Sequence, residues 1–211
     1  MLSLAKGEKT NLLSLTKNNS LKHVDIGVGW DPIFVDQPKP SGFLGKMFGG
    51  NDSGRKQIDV DIDASVVLLN EQGRVQNKND DLIYFGHLSH SSGSVKHSGD
   101  NRTGAGDGDD EVISVYLDRL PSYVHKILVV VNIYNCERSN QHFGMIEKAQ
   151  INIYDKANNS KLVQYNLTDN YQGKTSILVA SLVRNGSDFE FEAIGEGGNA
   201  TSLSHMVRSY S

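Results

Sequence analysis

Apolar and polar residues alternate one by one along much of this chain, and that period of two restricts it to extended structure. In the segment 24–31, VDIGVGWD, Val24, Ile26, Val28 and Trp30 fall on one side of an extended backbone, and Asp25, Gly27, Gly29 and Asp31 fall on the other. The segment 57–65, QIDVDIDAS, repeats the pattern, with Ile58, Val60 and Ile62 set against Asp59, Asp61 and Asp63. Further strands are expected at 11–16, 82–87, 112–118, 127–134, 146–154, 161–167, 177–184 and 188–194, where β-branched and aromatic residues lie between turn signals such as EQG (71–73) and RNG (184–186). Strands this frequent, with no long helical stretch between them, point to an all-β, antiparallel β-sandwich. Two short accessory helices are expected, one from the spacing of Leu120, Val124 and Ile127, the other from Leu203, Met206, Val207 and Tyr210. No internal repeat is present, so the 211 residues are read as one domain.

One segment breaks the rhythm. Residues 36–57, DQPKPSGFLGKMFGGNDSGRKQ, are rich in Pro and Gly and carry a net charge of +2, and they are expected to form a long inserted surface loop. Its apolar residues Phe43, Leu44, Met47 and Phe48 are expected to fold back onto the domain, with docking to a partner or a membrane surface as the alternative.

The most informative stretch is 97–111, HSGDNRTGAGDGDDE, which sets five carboxylates and four glycines in fifteen residues. Residues 100–111 carry −4 by themselves, equal to the formal charge of the whole chain, so the acidity is local. A local negative loop attracts cations and disfavours nucleic-acid backbones, which need clustered Lys and Arg. Calcium takes six to eight oxygens from carboxylates, carbonyls and Asn side chains, and glycines let the backbone turn its carbonyls inward. Asp100, Asn101, Asp107, Asp109, Asp110 and Glu111 supply such oxygens. The segment is not an EF-hand: from Asp100 the third position is Arg102, the fifth is Gly104, and the sixth is Ala105 in place of glycine. The second acidic patch, 59–65, places three carboxylates on one strand face, a repulsion that a bridging cation or solvent relieves, and Asp31 is placed to join it. Oxygen ligands without paired histidines or thiolates favour Ca²⁺, Mg²⁺ or Mn²⁺ over transition metals.

Other classes find less support. Cys136 is the only cysteine, which rules out an internal disulfide and a cysteine-based zinc site; it is expected as a buried thiol at a strand end. No apolar run is long enough for a membrane span or a signal h-region, so a soluble intracellular protein is expected. Seven scattered histidines and the lack of a Gly-x-Ser-x-Gly motif argue against an enzyme, although a metal-assisted hydrolase would draw its base from His87, His90 or His97, otherwise expected in surface or turn roles. A purely structural assembly subunit is the other alternative.

The segments GVGWD (27–31), DIDAS (61–65), HSGDNRTGAGDGDDE (97–111), VNIYNCERSNQHFGMI (131–146) and FEAIGEGG (191–198) occur in an order that resembles the TerD-like tellurium-resistance and stress-response family over nearly the whole chain. The resemblance implies a β-sandwich with calcium-binding loops at one end, two Ca²⁺ ions and a cytoplasmic, non-enzymatic protein. It also implies that the protein acts with other Ter-type proteins, one of them membrane-embedded. Carried over by position, it makes Asp31, Asp61, Asp63, Asp100, Asn101, Asp107, Asp109, Asp110 and Glu111 the calcium neighbourhood, with backbone oxygens near Thr103 and Gly104. The chain departs from the family at Asn135, where many members carry an acidic residue, and at Ala105, where glutamate is common. The 36–57 insertion marks a paralogue within the family.

Overall fold

The structure is a computed structural model that describes residues 1–16, 20–36, 55–100, 108–167 and 169–211. Thirteen strands lie among the described residues: β1 (Leu2–Leu4), β2 (Lys9–Asn11), β3 (His23–Asp36), β4 (Arg55–Ile58), β5 (Ile62–Leu69), β6 (Leu82–Ile83), β7 (Val95–His97), β8 (Glu111–Tyr116), β9 (Lys126–Ile133), β10 (Ile146–Asp155), β11 (Ser160–Asn166), β12 (Ser176–Asn185) and β13 (Asp188–Gly198). They form two sheets, ordered β1-β11-β10-β3-β8-β7, with β4 also paired to β3, and β2-β13-β12-β9-β5-β6. All described pairings are antiparallel except β1 with β11. The architecture is the expected all-β sandwich.

The alternation accounts for the core. Val24, Ile26, Val28 and Trp30 of β3 face Ile62, Ala64, Val66 and Leu68 of β5 and Ile127, Val129, Val131 and Ile133 of β9 in one apolar cluster, all nearly inaccessible to water. Burying each such side chain contributes about 1.5–3 kcal/mol. The second sheet also carries apolar residues on its outer face. There Val67, Leu69, Leu128 and Val130 pack beneath Leu203, Met206, Val207 and Tyr210. These last residues belong to a short helix (Leu203–Met206) and the 3-10 turn that follows (Val207–Tyr210), so the expected C-terminal accessory helix is present as a lid.

Several local expectations are corrected. Leu120, Val124 and Ile127 do not form a helix: a 3-10 turn ends at Arg119, a turn closes from Pro121 to Val124, and Ile127 lies in β9. The three residues reach the core by separate routes, Leu120 after the 3-10 turn, Val124 from the Pro121 turn and Ile127 from β9. The strand expected at 11–16 ends at Asn11 and gives way to a 3-10 turn at Leu13–Leu15. The 57–65 segment is interrupted at Asp59–Asp61, between β4 and β5. The expected loop 36–57 is bounded instead by a hairpin, because β4 pairs with Ile33–Asp36 of β3. Phe43, Leu44, Met47 and Phe48 lie outside the described residues. Cys136 is buried as expected, although it opens a short helix (Cys136–Ser139) just beyond β9.

Candidate metal centre

The candidate centre lies in a notch along β3. β8 pairs with His23–Val28 and β4 with Ile33–Asp36, so on the β8 side residues 29–32 have no strand neighbour. The acidic residues following Gly108 and those between β4 and β5 converge on this gap. The backbone N–H of Trp30, without a strand acceptor, donates to Asp110 Oδ2 at 2.9 Å, and the Trp30 indole N–H donates to the Val60 carbonyl at 3.2 Å. Side chains thus complete what the sheet leaves open, as buried backbone donors require.

Three consecutive acids then take three directions. Asp109 lies flat over β3, where a Cβ on Gly27 would come within 2.0 Å of its Oδ2. Asn152 Nδ2 donates to Asp109 Oδ1 at 2.6 Å, and the half-buried Tyr154 hydroxyl also donates to this carboxylate. Asp110 sits in the notch itself. Burial pushes its carboxyl above the usual range, the Trp30 N–H opposes that rise, and the charges of Asp31, Asp109 and Glu111 add to it. Glu111 points into the space between the sheets and is 1% exposed.

Glu111 and His97 together act as a strand neighbour for one residue of β5. The Ala64 N–H donates to Glu111 Oε2 at 2.7 Å, and the Ala64 carbonyl accepts from His97 Nε2 at 3.0 Å. The two side chains lie 3.5 Å apart, both fully buried. Burial opposes a charge on His97, but Glu111 and the Ala64 carbonyl outweigh it and raise the imidazole above its ordinary value. His97 is therefore an interior bridge between the sheets, which corrects the surface role expected for it. His90 is buried too, held by Ser92, Tyr123 and Asp80.

Beside this bridge stands the tightest group of acids. Asp61, Asp63 and Asp100 each offer a carboxylate oxygen within 4.8 Å of the others, a separation that one cation spans. Asp63 is 5% exposed. Its burial, reinforced by the charges of Glu111, Asp61 and Asp100, pushes its carboxyl up to about 7, against the pull of a hydrogen bond from Asn132 Nδ2 at 3.3 Å. An ionised carboxylate is costly there unless a cation joins it.

The structure thus brings Asp61, Asp63 and Asp100 together, with Glu111 close enough to act on Asp63 electrostatically. It sets Asp110 and Asp31 in the adjoining notch, and Asp31 also forms a 2.6 Å ion pair with Lys148. Asp109 is turned onto the outer face of β3, and Asp59 is exposed and accepts from Gln57. Asn101, Thr103, Gly104 and Asp107 lie outside the described residues. The sequence reading missed the roles of Ala64, His97, Asn132 and Asn152. The proximity of His97 to the acidic run in sequence was the one available signal.

A protein-family model described as the TerD domain matches residues 1–210. Stress response protein SCP2 of Bacillus subtilis (strain 168) is 42% identical over 210 residues, which cover 99% of this chain and 98% of that protein. Tellurium resistance protein TerX of Serratia marcescens is 37% identical and covers 99% of each chain. A crystal structure of a homologue of telluride resistance protein (TerD) from Streptomyces coelicolor A3(2) aligns with a TM-score of 0.63 at 21% identity, over 91% of this chain and 99% of that one. With its length matched from end to end by the family model and by these relatives, the chain belongs to the TerD family.

Proposed function

We propose that this protein is a calcium-binding module that performs no chemistry of its own and acts in stress or tellurium resistance through protein partners. The observation that carries this reading is the triad Asp61, Asp63 and Asp100, in which a nearly inaccessible carboxylate lies within bridging distance of two others. An all-oxygen donor set suits a hard cation, and Asp63 has the most to gain from one, because its charge is opposed by burial and by three neighbouring acids. The notch that holds Asp31 and Asp110 would take part in a second ion together with residues of the 101–107 segment. Calcium would supply charge neutralisation and cross-linking of the two sheets, while this chain's carboxylates hold and orient it.

The non-enzymatic reading is supported by what the candidate bases do. His97 donates to Ala64, His90 is enclosed by Tyr123 and Asp80, and His87 Nδ1 lies 2.9 Å from the Leu82 carbonyl. The partners would be other Ter-type proteins, since relatives named for tellurium resistance and for stress response share this whole chain length. No helix among the described residues is long and apolar enough to cross a membrane. Thermal unfolding tests the reading. Excess Ca²⁺ is expected to raise Tm above its value in EDTA, and Mg²⁺ to raise it less, because Mg²⁺ resists full dehydration. Identical melting in EDTA and in calcium would refute it.

A further inference from the structure

The outer face of the second sheet changes character along β5. Asp63, Ser65, Val67 and Leu69 follow one another on this face, and the C-terminal lid covers only Val67 and Leu69. Above Asp63, Ser65 and the neighbouring Asn132 the lid gives way to a cleft of about 360 Å³. Its walls are Tyr84, Phe85 and Tyr134 on one side and the 201–204 turn on the other. Phe85 stands edge-on to Tyr84, with ring centroids 5.4 Å apart, and edge-on to Tyr134 at 5.9 Å. Both Phe85 and Tyr134 are exposed, at 39% and 46%.

Two features of the cleft are not explained by packing. Ser65 is 1% exposed, lies in the floor, and its Oγ has no hydrogen-bond partner among the described residues, which costs about 1–3 kcal/mol. The two exposed rings close no core. We propose that the cleft binds a single neutral sugar ring. The volume is at the small end of ligand clefts, ~300–1,000 Å³, and suits one small molecule. Asp63 is the sole charged residue among the described residues of the lining, and these offer an anion no counter-charge. A hydrocarbon would leave Ser65, Asn132 and Asp63 buried against apolar surface. A sugar ring offers a C–H face to the aromatic walls, and its hydroxyls both donate to and accept from Ser65, Asn132 and the hydroxyl-bearing 201–204 turn. Its hydroxyl oxygens also suit a hard cation held by Asp63. That last contact rests on the calcium reading, whereas the ring walls and the Ser65 hydroxyl do not.

The test is a titration of ¹⁵N-labelled, calcium-loaded protein with glucose, mannose and ribose, with choline as an organic cation, while the amides of Tyr84, Phe85, Asn132, Tyr134 and Ser202 are followed. A neutral sugar is expected to shift these amides saturably at millimolar concentration. The affinity should drop at least about tenfold in Phe85→Ala/Tyr134→Ala, whose calcium binding by calorimetry stays unchanged. The proposal is overturned by no saturable shift from any sugar, by equal shifts in the double variant, or by shifts from choline alone. Sugar-induced shifts that persist when calorimetry detects no calcium binding would sink the metal reading and uphold the cleft.

Discussion

Asp63 holds its charge against both burial and neighbouring acids. Its carboxyl is pushed up to about 7 in the fold from the ordinary 3.8, so between those pH values the native protein binds a proton that the unfolded chain has released. Without metal, stability contributed by this group is complete below the lower value, declines as pH rises through the window, and is lost above the upper one. Chemical denaturation in EDTA should therefore show the metal-free protein gaining stability from pH 8 to pH 5.5, and Asp63→Asn should flatten that slope. At pH 8 the same substitution should stabilise the metal-free protein on the order of 2 kcal/mol. It should also remove the stabilisation expected from an ion at the triad, so one amide moves two stabilities in opposite directions. A second residue-scale test concerns Gly27. A methyl there would meet Asp109 Oδ2 at 2.0 Å, so Gly27→Ala must expel Asp109 from its bonds to Asn152 and Tyr154. A loss of about 1–3 kcal/mol by thermal or chemical melting is expected, and an unchanged Tm would show that Asp109 is not seated there.

At the scale of elements, the notable device is the pair Glu111 and His97, which binds both backbone groups of Ala64 and ties β8 and β7 to β5 across the core. Glu111→Ala would leave the Ala64 N–H buried without its acceptor and the His97 imidazole without its neighbouring carboxylate, at a cost of about 3–5 kcal/mol. That loss, read by urea denaturation in EDTA, separates the structural role of Glu111 from any role it has toward metal. The C-terminal lid makes a milder prediction. Val207 is 6% exposed above Val67 and Val130, and Val207→Asp should cost at least about 2 kcal/mol of stability while leaving calcium affinity unchanged, since the lid's apolar half lies away from Asp61 and Asp100. Strands were the legible elements: β3, β9 and β13 overlap segments expected as strands, whereas β5 runs past the expected 57–65 segment to Leu69. Leu120, Val124 and Ile127 misled because a helical spacing of three apolar residues also arises when a proline turn and a strand deliver them to one core. The Ala64 bridge was illegible, because residues 64, 97 and 111 meet only once two sheets have packed.

For the whole molecule, the acids meet because the fold brings together segments far apart in sequence: the end of β3, the link from β4 to β5, and the approach to β8. The sequence showed that residues 97–111 and 59–65 were acidic beyond the needs of a turn, yet it did not show that Asp109 points away from the triad or that Asp63 is buried. Those are properties of the packed sheets. An ion bound there stabilises every segment it touches, by about 2.7 kcal/mol when free calcium is a hundredfold above its dissociation constant. Isothermal titration calorimetry of the metal-free protein with Ca²⁺ tests this account most directly, with wild type compared against Asp61→Asn/Asp63→Asn. Saturable binding to the wild type is expected, with loss of at least one binding event in the double variant, which removes two anionic oxygens while keeping side-chain volume. Equal calcium isotherms for the two proteins, or no heat of binding in either, would contradict it.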